Sequence, residues 1–406
     1  MVTLTKASKA SFRISSRESC PGCHGERVQD FFLQDEVPVN SCLLMQTRQE
    51  AIHYPRGKMH LAYCPHCGTI TNTHFDSTRL QYNRMYEETQ GFSGRFNEFL
   101  VSLVRRLINR YDIRRKRVLE IGCGKGEFLC LLADLGDNEG IGIDPACVPK
   151  RIPRYLRDRI TIIREFYSDA HVNTSADVIC CRHTLEHIHE PLTFLQTIRA
   201  SIGDRRDVVL FFEVPDALRV FRDGAFWDVY HEHCSYFTSE TLRALFVRAG
   251  FDVEEVNLDY EGQYILLTAH PAAQPYPQHT PEAKTIHDLC EITEAFAGRV
   301  ESNTSMWSDI LNALQNNGRK GVVWGSGSKG VAFLTSVPNA ELLSRVVDIN
   351  PYRQGKFMPG TGQEIVAPGA LLKEPPDCVI VMNPVYSDEI WQDLQQRKLQ
   401  PWMISV

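Results

Sequence analysis

Nothing in this 406-residue chain constrains its fold more than Val118-Leu-Glu-Ile-Gly-Cys-Gly-Lys-Gly-Glu-Phe-Leu129, an apolar run broken by three alternate glycines and leading into a helical pattern from Glu127 to Leu135. It reads as a strand, a tight turn and a helix N-terminus. Without a Cβ, Gly122, Gly124 and Gly126 let the main chain turn sharply and let a ligand come close to it, facing the free N–H groups of the helix start. About twenty residues on, Gly140-Ile-Gly-Ile-Asp144 reads as a second strand ending in a carboxylate, the place from which a nucleotide-binding βαβ unit offers an acid to ribose hydroxyls. A plain turn packing a helix on a sheet is the blander alternative, but turn, helix and acid fall in register. The charges around the turn discriminate between ligands. Glu120 precedes the glycines and Glu127 opens the helix; these carboxylates repel an anionic pyrophosphate and tolerate a cationic sulfonium nucleoside. The cradle therefore leans to S-adenosylmethionine over a dinucleotide, with Glu120, Gly122, Gly124, Gly126 and Asp144 as its contacts.

A chain of this length calls for two or three domains. The acidic balance, formally −6, runs against a nucleic-acid surface. No apolar run reaches membrane-spanning length, and Met1 to Ser19 lacks the apolar centre of a signal peptide, so the expected location is cytoplasmic. Residues 1 to 18 read as a loose polar lead-in. Thirteen cysteines scattered through the chain include two turn-borne pairs, Cys20-Pro-Gly-Cys23 and Cys64-Pro-His-Cys67. Two such knuckles curl four thiolates toward one point, which suits a structural zinc better than redox-active thiols. His24, His66 and Cys42 are weaker candidates for a ligand position.

Gln81 to Gly94 is rich in Tyr and Glu, either a polar connector or a loop that touches substrate. Phe96 to Tyr111 follows helical spacing. Asp177-Val-Ile-Cys-Cys181 reads as a buried parallel strand feeding Arg182-His-Thr-Leu-Glu-His-Ile-His189. Ligands of open α/β sheets lie beyond the carboxyl ends of the strands, so His183, Glu186 and His187 fall near the cofactor, while His189 reads as structural. After a strand at Val208 to Pro215, an aromatic segment carries His231, Glu232 and His233, a compact acid/base set. A metal cluster there is the weaker reading, because adjacent ligands on an irregular segment lack helical spacing. Two strands follow over Phe251 to His270, then a proline-rich linker, Pro271 to Pro281, and a long helical pattern from Ala283 to Gln315. Gly325, Gly327 and Gly330 form a second Rossmann-type fingerprint, with Asp348 at the end of the next strand and another parallel strand at Asp377 to Met382.

Cys20, Cys23, Cys64 and Cys67, with Leu119-Glu-Ile-Gly-Cys-Gly124, Leu185-Glu-His-Ile188, Tyr230-His-Glu-His233 and Val347-Asp-Ile-Asn-Pro-Tyr-Arg-Gln-Gly-Lys-Phe-Met-Pro-Gly-Thr361, resemble a family of three-part S-adenosylmethionine-dependent sugar C-methyltransferases. The resemblance implies an α/β chain with an N-terminal zinc-binding domain (1–80), a central class I Rossmann-like methyltransferase domain (81–272) and a C-terminal Rossmann-like domain (282–406). It implies a small-molecule acceptor, a nucleotide-linked deoxysugar methylated on a carbon next to a ketone, and Tyr86, His187, Tyr230, Glu232 and His233 as the catalytic set. His231 and the Gln81 to Gly94 loop depart from the family pattern, which leaves the acceptor open.

The chemistry of the residues agrees with that set. Carbon becomes a nucleophile only when a proton α to a carbonyl is removed, which needs a base and hydrogen-bond donors for the enolate. His233 suits the base, Glu232 the orienting acid, and Tyr230, Tyr86 and His187 the donors. Methylation at oxygen or nitrogen is the nearest competitor. An NAD-dependent oxidoreductase using Gly325 to Gly330, or a protein that only binds S-adenosylmethionine, are the other classes.

Overall fold

The computed structural model describes residues 19–26, 28–274 and 276–406. The lead-in read at residues 1 to 18 lies outside the described residues, as does Pro275 of the linker. The chain begins with three antiparallel strands, β1 (Gln29–Pro38), β2 (Arg56–Tyr63) and β3 (Ile70–Asn72). It then builds a seven-stranded sheet around β4 (Arg117–Ile121), whose Val118, Leu119 and Ile121 are buried. β5 (Glu139–Ile143) and β6 (Ile160–Ile163) add in parallel on one side of β4; β7 (Val178–Arg182) and β8 (Val209–Pro215) add in parallel on the other.

Strands this continuously apolar require cover on both faces. Helices Gly94–Tyr111 and Glu127–Gly136 supply one cover through Phe96, Leu100, Leu103, Phe128 and Leu132. Helices Pro191–Ile202 and Ser239–Arg248 supply the other through Leu192, Leu195, Leu242 and Phe246. Each start is set locally: Ser93 accepts from Phe96 N at 3.1 Å, and Thr238 forms a capping box with Thr241.

Between β8 and the helix that follows Thr238, the chain leaves the central sheet. Its two-residue β9 (Ser235–Tyr236) pairs with β3, so the segment just after His233 is an edge of the N-terminal sheet. The chain returns through β10 (Phe251–Asp259) and β11 (Tyr264–Pro271), with β11 antiparallel between β8 and β10. The C-terminal unit is a five-stranded parallel sheet ordered β14 (Glu364–Val366), β13 (Arg345–Val347), β12 (Gly321–Trp324), β15 (Cys378–Val381) and β16 (Trp402–Ser405). The helical pattern expected from Ala283 to Gln315 is two helices, Ala283–Glu294 and Phe296–Asn316, meeting at Ala295. The break seats fully buried Phe296 among Phe31, Phe32 and Phe221, where the core of all three regions meets. No helix among the described residues is long and apolar enough to cross a membrane.

The segment from Tyr82 to Ser93 is clamped between the two Rossmann-like units. Glu87, 1% exposed, accepts two bonds from the Arg151 guanidinium at 3.1 and 2.6 Å and one from Asn350 Nδ2 at 3.0 Å, while Arg353 donates to its carbonyl. Tyr386 donates to Gln90 Oε1 at 2.6 Å, and Glu389 accepts from Ser93 Oγ and Gly94 N at 2.6 and 2.8 Å. A Glu87→Ala variant leaves the half-sheltered Arg151 without its acid. Unfolding in urea is expected to show a loss of about 3 to 5 kcal/mol, the scale of a broken buried ion pair.

Candidate active site

The glycine turn has the backbone that its composition implies: Gly122, Gly124 and Gly126 have φ of 70°, 52° and 86°. A side chain at Gly122 would collide with Thr184, which brings the turn after β7 against the cradle. Asp144 ends β5 with Oδ2 accepting from Gly124 N at 2.9 Å and Oδ1 from Ala146 N at 2.6 Å. Burial raises its pKa, and these backbone donors oppose the shift. Glu120 is buried on β4, its Oε2 has no hydrogen-bond partner, and burial pushes its pKa up to about 8 despite Arg182. A buried carboxyl with one oxygen unpartnered beside a glycine cradle fits a cationic nucleoside better than a pyrophosphate.

The sequence reading missed two residues here. Glu88 lies over the turn, 2.7 Å from where a Cβ of Gly124 would stand, and burial pushes its pKa up to about 7 against the pull of Lys125. Lys125 is itself buried, donating to Glu88 at 2.9 Å and to the carbonyls of Tyr86 and Ala146 at 2.6 and 3.1 Å. The loop is thus stitched to the cradle by a residue from inside the glycine motif.

At the ends of β7 and β8, Arg182 and Glu213 form a two-bond ion pair, both bonds 2.9 Å, in the buried layer of the sheet. His183 follows with φ of 47° and sets Nε2 at 2.7 Å from Glu213 Oε1, with Nδ1 3.7 Å from Glu186. Burial disfavours its imidazolium, yet the charges of Glu213 and Glu186 prevail and push its pKa up to about 9. Burial likewise works against the carboxylate of Glu213, and Arg182 and His183 overcome it, holding its pKa near about 2. The left-handed turn at His183 starts a short 3₁₀ turn, Leu185–His187.

The expected catalytic residues come together beside this turn. His187 Nδ1 lies 3.0 Å from Glu232 O and 3.0 Å from Tyr82 Oη. A carbonyl can only accept, so the proton sits on Nδ1 and Nε2 is the free nitrogen. The His233 ring is 4.7 Å from that of His187 and 4.2 Å from that of Tyr230. Burial holds the His233 pKa well below the ordinary imidazole value, and His187, His183 and Lys329 add to the shift. Glu232, fully buried, accepts from Asn40 Nδ2 at 2.7 Å, and Tyr54 donates to Asn40 Oδ1 at 2.9 Å. Burial raises the Glu232 pKa, and hydrogen bonds from Asn40 and Tyr86 oppose the rise. Tyr86 and Tyr230 are kept protonated by burial, hence as donors.

His231 points elsewhere. It stacks on Phe75 at 5.6 Å and packs over Gly57 in the N-terminal sheet, and burial lowers its pKa to about 4. Asn40, Tyr54, Tyr82 and Glu186 were not singled out as catalytic from the sequence. Of these, Tyr82 shares the Tyr/Glu-rich loop and Glu186 the strand end, whereas nothing local marks Asn40 or Tyr54.

Cys20, Cys23, Cys64 and Cys67 gather their sulfurs within 4.8 Å of one another, with Cys20 to Cys67 at 3.6 Å and Cys23 to Cys64 at 3.8 Å. Sulfurs about 2.3 Å from a tetrahedral zinc stand about 3.8 Å apart, so the residues fit the ion. Cys42 lies apart, 3.4 Å from Ser328 Oγ. At the second glycine turn Ser326 is fully buried; its N and Oγ donate to Asp348 and its carbonyl accepts from Arg353 at 2.8 Å.

The family described as a methyltransferase domain matches residues 93–256, and the C-methyltransferase C-terminal domain matches residues 278–402. The C-methyltransferase NovU of Streptomyces niveus is 24% identical over 347 residues, covering 80% of each chain. A ubiquinone biosynthesis O-methyltransferase of Actinobacillus pleuropneumoniae is 33% identical over 108 residues, 24% of this chain and 44% of that protein. Among solved structures, a Burkholderia thailandensis 1,6-didemethyltoxoflavin-N1-methyltransferase with bound S-adenosylhomocysteine is similar over 45% of this chain and 82% of that one, at 18% identity and a TM-score of 0.35.

The raised pKa of His183 has a consequence for stability. A group whose pKa rises on folding stabilises the protein fully below its unfolded value, about 6.5, and that contribution fades as pH climbs through the folded value near about 9. Urea midpoints measured from pH 6 to pH 10 are expected to fall across that window, and His183→Gln is expected to flatten the decline.

Proposed function

We propose that this chain, a member of the S-adenosylmethionine-dependent C-methyltransferases, methylates a carbon next to a ketone on a nucleotide-linked deoxysugar, with His233 as the general base. The observation that carries the reading is the buried His233 ring packed against His187 at 4.7 Å and Tyr230 at 4.2 Å, where Thr184 brings the turn after β7 against the glycine cradle. Glu120, Gly122, Gly124, Gly126, Asp144 and His183 form the donor side of the site. S-adenosylmethionine, bound there, supplies an electrophilic methyl group on a sulfonium.

The protein's own part is to make carbon nucleophilic. His233 takes the α proton, and the negative charge that moves to the carbonyl oxygen is met by hydroxyls of Tyr230 and Tyr86. His187, with its proton fixed on Nδ1, presents a lone pair on Nε2 and donates to the enolate only once protonated. Glu232, anchored through Asn40, holds the backbone carbonyl that orients His187. Burial excludes the water that would reprotonate the carbanion.

Exchange tests this directly. A 4-keto nucleotide sugar incubated in deuterium oxide with the enzyme and S-adenosylhomocysteine is expected to take deuterium at the α carbon, and His233→Ala to slow exchange by about 10²- to 10⁴-fold. Exchange at the wild-type rate in that variant moves the base to His187. A product methylated at oxygen, the chemistry named for the ubiquinone relatives, removes the carbon-acid reading.

Cys20, Cys23, Cys64 and Cys67 fit one structural zinc, with all four places filled by sulfur and none open for catalysis. Metal analysis is expected to find about one zinc per chain. Cys64→Ser is expected to lose the metal, and a metal-free protein of full stability refutes the site.

A further inference from the structure

We propose that Glu186 is the positioning residue of His233: its carboxylate faces the imidazole across a span that one water bridges, orients the ring and balances the charge the ring gains on taking a proton. The inference rests on the reading of His233 as base. Glu186 is 2% exposed, and neither carboxylate oxygen has a hydrogen-bond partner within the protein. A buried carboxylate is too costly to stand bare. His183 Nδ1 is 3.7 Å from Glu186 Oε1, longer than a hydrogen bond, and His183 leans more closely on Glu213 at 2.7 Å.

Its other neighbours are the two catalytic imidazoles. One oxygen of Glu186 and one ring nitrogen each of His187 and His233 lie within 4.8 Å of one another, the separation spanned by a single bridging water. A cavity of about 10 Å³, one water's room, is lined by Glu186, His233, Ser235 and Tyr236. The spacing is held by the main chain. Cys234 N donates to Glu186 O at 3.0 Å and Ser235 Oγ to Ile188 O at 3.0 Å, so the two segments cannot slide past each other.

The other acids around His233 are occupied. Glu213 is paired with Arg182 and His183, Asp228 with Lys329 and Arg219, and Glu232 accepts from Asn40. His183 and Lys329 carry positive charge beside His233, and they and the His187 ring oppose its protonation. Glu186, whose contact with His183 is an ion pair of 3.7 Å, is the acid here whose oxygens accept no hydrogen bond and can turn toward His233. When the α proton passes from carbon to the ring nitrogen of His233 that faces the substrate, the other ring N–H, on the Glu186 side, donates through the water to the carboxylate. After the methyl group has bonded to carbon and its bond to sulfur has broken, the proton leaves His233 for solvent.

Three variants of the deuterium-exchange assay decide the matter, each measured from pH 4 to 9 on the full chain with S-adenosylhomocysteine. Glu186→Gln keeps size and removes charge. It is expected to slow exchange by about 10²- to 10⁴-fold with unchanged S-adenosylhomocysteine affinity. Without the carboxylate His233 binds its proton more weakly, so the acidic limb of the profile is expected to move to lower pH. Glu186→Asp is expected to restore part of the rate, and His233→Ala to erase the limb. Exchange in Glu186→Gln at the wild-type rate and with the wild-type limb overturns the inference while leaving His233 as base. A lowered melting point with an unchanged profile likewise overturns it, marking Glu186 as structural. Wild-type exchange that is lost to a chelator and regained with zinc or manganese overturns it in favour of a cation held by Glu186, His187 and His233. Absence of exchange in the wild-type enzyme brings down the carbon-acid reading itself, and this inference with it.

Discussion

The ion pair of Arg182 and Glu213 is the interaction on which the rest of the site depends. Two opposite charges sit in the buried layer at the ends of β7 and β8, where separating them would leave either one uncompensated. Because the pair joins Arg182, the last residue of β7, to Glu213, two residues before the end of β8, the chain leaves β7 at a fixed place and direction. His183 takes a left-handed conformation and leans on the same carboxylate, and the 3₁₀ turn that follows sets His187 down beside His233. A site that must hold His233 as a neutral base in a buried pocket is built outward from a salt bridge that is itself not part of the proposed chemistry.

The second constraint is that the pocket has no wall of its own. Its floor is the central sheet, one side is the Tyr82 to Ser93 segment, and the polar back wall is N-terminal: Asn40 reaches Glu232, Tyr54 holds Asn40, and β9 is an edge strand of the N-terminal sheet. Glu87 fastens the loop to Arg151 of the central unit and to Asn350 and Arg353 of the C-terminal unit. This explains why one methyltransferase fold is accompanied by two further units. The N-terminal unit bonds Glu232, and the C-terminal unit bonds Glu87, next to Tyr86.

Legibility in the sequence followed the range of the interaction. The strand, turn and helix at Val118 to Gly136 could be read because glycine at positive φ and apolar periodicity are local requirements; the structure has φ above 50° at all three glycines. The four cysteines were readable for the same reason, each pair being a turn. By contrast the junction at Ala295 was hidden, because two helices in line have the same periodicity as one. Asn40 and Tyr54 were hidden because their role exists only across the chain, 192 residues from Asn40 to Glu232. Glu186 stood in a segment singled out for its position, but that its oxygens are unpartnered is a property of packing.

Charge explains the division of labour among the histidines better than their order in the chain. His183 lies against two carboxylates and is pushed toward the cation; His233 lies among His187, His183 and Lys329 and is pushed toward the neutral base; His231 is buried against Phe75 with no acid strong enough to hold its proton. Burial disfavours the cation at all three, and they differ because Glu213 and Glu186 overcome that cost at His183 alone. The same logic reaches the cofactor cradle, where Glu120 and Glu88 both carry pKa values raised by burial, to about 8 and about 7. A bound sulfonium would lower both, so cofactor binding at neutral pH should release protons from the very carboxyls that make the cradle unsuited to a pyrophosphate.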